Sequence, residues 1–261
     1  MSEHILQFWD SQAVKFGTSH SASWGDNYAI NLEIQTIGQY VKEGDTLLDV
    51  GCANGYSAIH HLKKQVSSIT GIDFSKEMIR EAEKNQAECD SPSRLSFHVG
   101  DVRNLQFADN SFDVVYTTRV LINLPTWDEQ KLGIEECIRV CKVGGTVIFS
   151  EAFWEPLVLL NSIRTLKSLP PLVEHDFNRY IKQHTLENFF HSKGITFTLE
   201  DFSSLYYIGS RFLRELITNP DDYPGYSNPI NEIFYNIEQD YSGGGFGIQQ
   251  AYVIKKGPMS L

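Results

Sequence analysis

The stretch LLDVGCANGYS, residues 47–57, decides how the chain is read. A short apolar run carries one carboxylate, Asp49, then turns at Gly51 and meets a second glycine, Gly55, where a helical pattern begins. A glycine turn between strand and helix brings backbone N–H groups close to a polar ligand. Taken alone, the turn fits a nucleotide-type cofactor or a purely structural role.

Working outward, TLLDV (46–50) is a predicted strand, and a helix is expected from the turn to about Lys64. SITGID (68–73) is the next strand, with a helix from Lys76 to Glu88. LSFHVG (95–100), FDVVYTT (112–118) and TVIFSEA (146–152) are further strands; a helix through Leu132–Val140 and a turn at Lys142–Gly145 precede the last. This alternation predicts a parallel sheet with helices on both faces and a ligand crevice at the strands' carboxyl ends. Acidic residues recur at those ends. Asp73 suits the hydroxyls of a ribose, as it would in a nicotinamide enzyme. Asp101, after the third strand, suits the exocyclic amine of a base, and a dinucleotide enzyme needs no such series.

The ordered set DVGCANG, GIDFSKEM, GDV, FDVV and RVCKVGG resembles the class I S-adenosylmethionine-dependent methyltransferases over about residues 45–152. The likeness is greatest to small-molecule enzymes of ubiquinone and menaquinone biosynthesis. It implies an α/β fold with a seven-stranded, mostly parallel sheet of order 3-2-1-4-5-7-6. GIQQAYVIKK (247–256) would be the antiparallel strand 7. S-adenosyl-L-methionine is the implied cofactor. By position, Asp49, Gly51, Cys52 and Gly55 would surround its methionine half, Asp73 its ribose, and Phe74 and Met78 its adenosine. Asp101 and Val102 would hold the adenine, and the backbone from Thr117 to Arg119 would face the amino-acid end. Ala53 replaces a common glycine, and Val143 a common proline. Asn123 stands where many relatives carry histidine, so a catalytic histidine is not expected there.

Bulk properties narrow the partners. The 261 residues suit one α/β domain with insertions, and the net charge of -11, with no dense Lys/Arg cluster, argues against a nucleic-acid partner. The chain has no apolar run long enough to span a bilayer, and no basic start followed by an apolar stretch. A cytoplasmic protein with no membrane partner is therefore expected. Its four cysteines form no CxxC pair; Cys137 and Cys141 read as a packing face.

The remainder is expected to build the acceptor site. Residues 1–44 read as an N-terminal helical lid, with Trp24 over the cofactor and Tyr28 toward the acceptor. Residues 153–182 read as an inserted cap and 219–248 as a long loop or lid. Between them lie a helix over 184–194, N-capped by Thr185 and stopped by Gly194, and a strand over ITFTLEDFSSLYY. Tyr206, Tyr207 and Arg211 are acceptor-pocket candidates, or else aromatic packing and a surface arginine. His175 and Glu151 are the catalytic candidates. The competing readings are a solvated loop histidine and a carboxylate that caps a helix or pairs with Arg164. No grouping has metal-ligand spacing, so no metal is expected. The region from LPPLVEHDFNRY to SSLYYIGSR also resembles methyltransferases encoded beside bacterial polysaccharide and natural-product pathways. That implies oxygen methylation of a small molecule, a sugar or other polar ring metabolite. The alternatives are an inactive methyltransferase-like binding or regulatory protein, and an N- or C-methyltransferase acting on a natural product. A homodimer through the aromatic N-terminus or the 219–248 stretch is also open.

Overall fold

β1 (Thr46–Val50) lies between β2 (Ser68–Asp73) and β4 (Phe112–Thr118) in a sheet that also contains β3 (Leu95–Val99), β5 (Cys141–Ala152), β6 (Phe197–Glu200) and β7 (Gln249–Lys255). The computed structural model describes residues 3–219, 225–226 and 228–258. The sheet order is β3-β2-β1-β4-β5-β7-β6, with β7 antiparallel to both of its neighbours and the other pairings parallel. Leu47, Leu48 and Val50 are all buried, as expected of a central strand covered on both faces.

The helices are α1 (Glu3–Phe16), α2 (Asn27–Gly38), α3 (Tyr56–His61), α4 (Lys76–Glu88) and α5 (Trp127–Val140) in the first half of the chain. In the second half come α6 (Trp154–Leu166), α7 (Gln183–Ser192), α8 (Ser204–Ile208), α9 (Arg214–Ile217) and α10 (Pro229–Asp240). α4 starts where the sequence places it because the Ser75 hydroxyl accepts the Met78 N–H at 3.1 Å. α1 is tied to α4 by a small second core of Ala13, Ala22 and Met78, with Trp9 and Phe16 packed on it.

Four local expectations are corrected. The 219–248 stretch contains α10; the Asn228 side chain caps it by accepting Ile230 N–H at 2.9 Å, and Pro229 fills the first turn. Asn and Pro mark helix starts as well as loops. Residues 220–224 and 227 of that stretch lie outside the described residues. β6 stops at Glu200, and the SSLYY segment is helical instead. α7 begins at Gln183, not after Thr185: the Glu155 carboxylate accepts the Gln183 and His184 N–H groups at 2.7 and 3.4 Å. Lys142–Gly145 is the irregular start of β5 rather than a turn before it, with a register shift against β4.

Within 153–182, α6 is followed by an irregular run that ends at Ile181, which bridges Phe153. Arg164, almost fully buried, donates to the Pro170 carbonyl at 2.7 and 3.0 Å and pairs with Glu215 at 2.9 Å. It therefore does not pair with Glu151. This ties the run to the segment after α8. No described helix is long and apolar enough to cross a membrane.

Candidate active site

The chain leaves β1 through Gly51, whose φ of +76° favours glycine, and a Cβ there would lie 2.0 Å from Val120 Cγ2. The Gly51 and Cys52 N–H groups both donate to the Ile72 carbonyl, at 2.7 and 2.9 Å, locking the turn to the end of β2. Ala53 adopts φ +46°, the left-handed region its missing glycine would take without strain. Its N–H donates to Asp73 Oδ2 at 3.0 Å, and Ser75 N–H donates to Oδ1 at 2.9 Å. A carboxylate has about four acceptor sites, so each Asp73 oxygen can still accept from a ligand.

These residues form one side of a cavity of about 620 Å³ above the strand ends, a size typical of small-ligand sites. Of the cofactor candidates, Gly51, Cys52, Asp73, Phe74, Met78, Arg119 and Trp24 line it. So do His175, Tyr207 and Arg211. The Trp24 ring stacks on the Arg119 guanidinium at 4.8 Å, and Arg119 reaches Glu33 at 3.4 Å. His175 packs against Phe177 and Phe8, with ring centroids 4.4 and 5.3 Å away.

Other candidates lie off the cavity wall. Gly55 is an αL helix N-cap pressed against Phe97, where a Cβ would meet the ring at 2.7 Å. Asp49 is fully buried. Burial, reinforced by Asp73 and Glu33 and opposed by the nearby Tyr116 hydroxyl, pushes its carboxyl up to about 7. Asp101 accepts from the Arg103 backbone and guanidinium at 2.5–3.2 Å, and Arg103 also pairs with Glu129. Val102 is buried against Gly133. Tyr28 packs on Tyr206 and Tyr235, and the buried Tyr206 hydroxyl donates to Asp26 at 2.6 Å. Neither of these tyrosines reaches the cavity wall.

Of the readings weighed for Glu151, its contacts fit the helix cap. Its Oε1 accepts from the Thr117 hydroxyl and the Val120 and Leu121 N–H groups at 2.7–3.1 Å, and its Oε2 accepts from Ile122 N–H at 3.3 Å. The carboxylate thus caps the short 3-10 helix Leu121–Asn123 and is spent on shaping the cavity floor. Thr117 takes part in the same contact and is buried.

Sequence reasoning missed several wall residues: Phe8, Trp9, Phe177, Tyr226 and Gln249. Asn123 stood out only as a departure from histidine. It lines the wall, donating to the Arg119 carbonyl at 2.7 Å and accepting from the Trp9 indole at 3.3 Å. Glu33, the partner of Arg119, accepts from Ser150 and Gln249, each at 2.7 Å. Among the described residues no group of His, Cys, Asp or Glu is arranged to hold a metal.

Four buried carboxyls set a pH dependence. Burial pushes Asp73 up to about 6, and Asp49, Glu151 and Glu238 up to about 7. In the unfolded chain such groups ionise near 4. Between those limits the folded state binds more protons at these four groups, so their contribution falls as pH rises through 6–7. Buried His61, pushed down to about 3, acts in the opposite sense below about 6.5 but is one group against four. The ligand-free protein is therefore expected to melt at a higher temperature at pH 5.5 than at pH 8; calorimetric scans showing the reverse order would contradict these shifts.

The sheet order and the glycine-turn cavity define a class I methyltransferase fold. A methyltransferase-domain family model matches residues 47–145. Demethylmenaquinone methyltransferase of Desulfitobacterium hafniense is 31% identical over 183 residues, 63% of this chain and 70% of that relative. The 27-O-demethylrifamycin SV methyltransferase of Amycolatopsis mediterranei is 31% identical over 117 residues, 44% of this chain and 42% of that relative. The chain thus spans more than two thirds of the first relative and less than half of the second. The structure of geranyl diphosphate C-methyltransferase from Streptomyces coelicolor A3(2) superposes with a TM-score of 0.58 at 14% identity, over 87% of this chain and 79% of that one; that likeness concerns the fold. The chain belongs to the class I S-adenosylmethionine-dependent methyltransferases.

Proposed function

We propose that the protein methylates an oxygen of a small-molecule acceptor, a sugar or other polar ring metabolite, using S-adenosylmethionine. The observation that carries this reading is a single cavity with two unlike walls. The Gly51–Asn54 turn and the end of β2 form one, and rings from α1, the 172–180 run, α8 and Tyr226 form the other.

The cofactor supplies an activated methyl group, and the chain's residues position and shield it. Asp73 accepts the ribose hydroxyls, Phe74 and Met78 pack on the adenosine, and the loop backbone holds the methionine half. The aromatic wall excludes water and orients a ring-shaped acceptor for in-line displacement. When the acceptor atom is a hydroxyl, His175 takes its proton, since no other histidine lines the cavity among the described residues.

Calorimetric titration with S-adenosylmethionine tests the cofactor, and absence of binding at millimolar concentration sinks the reading. Sugars, phenols and amines are then screened by mass spectrometry for a methyl mass gain. Exclusive methylation of amines would replace oxygen as the acceptor atom. Asp73→Ala is expected to weaken S-adenosylhomocysteine binding by about 1–3 kcal/mol through lost charge-assisted hydrogen bonds. Unchanged affinity in the same titration would remove Asp73 from the ribose role.

A further inference from the structure

Arg211 sits on the acceptor wall with part of its guanidinium unused. It belongs to a π-helical segment, Gly209–Leu213, between α8 and α9; such segments recur at functional sites. Phe234 of α10 presses on this segment so closely that a Cβ on Gly209 would lie 1.9 Å from the ring. The guanidinium stands 4.8 Å from the Tyr226 ring and 5.2 Å from the Tyr207 ring. Its Nη2 donates to Asp26 at 2.6 Å. Asp26 is buried and otherwise committed, its Oδ1 accepting from Ala29 N–H at 3.1 Å and from the Tyr206 hydroxyl at 2.6 Å. Arg211 is therefore held from one edge. Its Nη1 is buried and has no hydrogen-bond partner, although the residue lines the cavity.

A buried cationic donor without an acceptor is costly, and guanidinium N–H groups are matched in charge and geometry to carboxylates and phosphates. We propose that Arg211 Nη1 receives an anionic group, carboxylate or phosphate, carried by the acceptor. The inference rests on the cavity being an acceptor site. In a chain of net charge -11, a local cation is what admits an anion to the cavity. The other arginine on the wall, Arg119, comes from the end of β4 beside Val120, which touches Gly51, and it already faces Glu33. Arg119 is thus the cation of the glycine-turn side, and Arg211 that of the aromatic side.

Two matched pairs of probes test this by calorimetry, with and without S-adenosylhomocysteine: 4-hydroxybenzoate against 4-hydroxybenzamide, and phenyl phosphate against phenol. The charged member of at least one pair is expected to bind about tenfold more tightly, as for a charge-assisted hydrogen bond. The pair that shows the preference identifies the anion. Arg211→Gln should abolish the preference. Arg211→Lys keeps a charge beside Asp26 and should fold even if the glutamine variant does not; it too should lose most of the preference, with S-adenosylhomocysteine affinity retained. Equal binding within both pairs, no measurable binding at millimolar probe, or an unchanged preference in Arg211→Lys overturns the proposal. So does a tenfold loss of S-adenosylhomocysteine affinity in that variant, because the anion would then be the cofactor's own carboxylate. If S-adenosylhomocysteine does not bind the wild type at all, the methyltransferase reading fails, and the titrations without it still decide the Arg211 question.

Discussion

Glu151→Ala is expected to lower the unfolding free energy by about 3–5 kcal/mol, the range for losing one member of a buried, fully used polar group. The substitution strands the Thr117 hydroxyl and three backbone N–H groups in the interior, and each orphaned donor costs about 1–3 kcal/mol before the structure relaxes. Cavity formation adds to this. Denaturant unfolding of the variant and the wild type measures it. The same experiment separates a shaping role from a catalytic one. A variant as stable as the wild type but inactive would return Glu151 to the chemistry. A destabilised variant whose remaining folded fraction still turns over would keep it in the cavity floor. Glu151→Gln should recover part of the loss, since the amide oxygen can accept some of the same bonds while its NH₂ opposes the rest.

His175→Ala is expected to reduce kcat by about 10²–10⁴-fold, the usual worth of a positioned general base, while S-adenosylhomocysteine binds as before. The imidazole lies on the 172–180 run, exposed to solvent on one side and in ring contact with Phe8 and Phe177 on the other, at the ring-lined wall of the cavity. His175→Phe keeps that packing and removes the nitrogens, so it distinguishes a proton acceptor from an aromatic spacer. If His175 is the base, the phenylalanine variant is as slow as the alanine variant. Near-normal kcat in His175→Phe would make the residue a packing element and would point to an acceptor that attacks already ionised.

The sheet was legible because each strand is a short apolar run that stops at a turn or a charge, and because helices such as α4 carry their own N-caps. α10 was not legible as a helix: Pro, Asp, Asn and Tyr dominate the composition around it, yet Asn228-Pro229 followed by apolar Ile230, Ile233, Phe234 and Ile237 is a helix start with helical spacing. The glycine-turn side of the site was readable because its residues are close in sequence. The ring-lined side was not. It depends on contacts such as Tyr206 with Asp26, 180 residues apart, and on which edge of Arg211 those contacts consume. Asp101 shows a different limit of the sequence. Its motif placed it at a ligand, while Arg103, two residues along, occupies both of its oxygens. Periodicity and motif order carry no information about a carboxylate's remaining lone pairs.

The placement of the tryptophans has a practical consequence. The chain has four, and Trp9 and Trp24 stand on the wall of the glycine-turn cavity, while Trp127 packs on Phe189 and Trp154 borders a neighbouring groove. Trp24 is stacked on a cation and Trp9 is hydrogen-bonded to Asn123, so both indoles emit from surroundings that an incoming molecule must alter. The protein thus carries its own optical reporter. Titration monitored by intrinsic emission reads occupancy without a label, and Trp9→Phe and Trp24→Phe, compared one at a time, resolve whether a ligand fills the glycine-turn side or the ring-lined side.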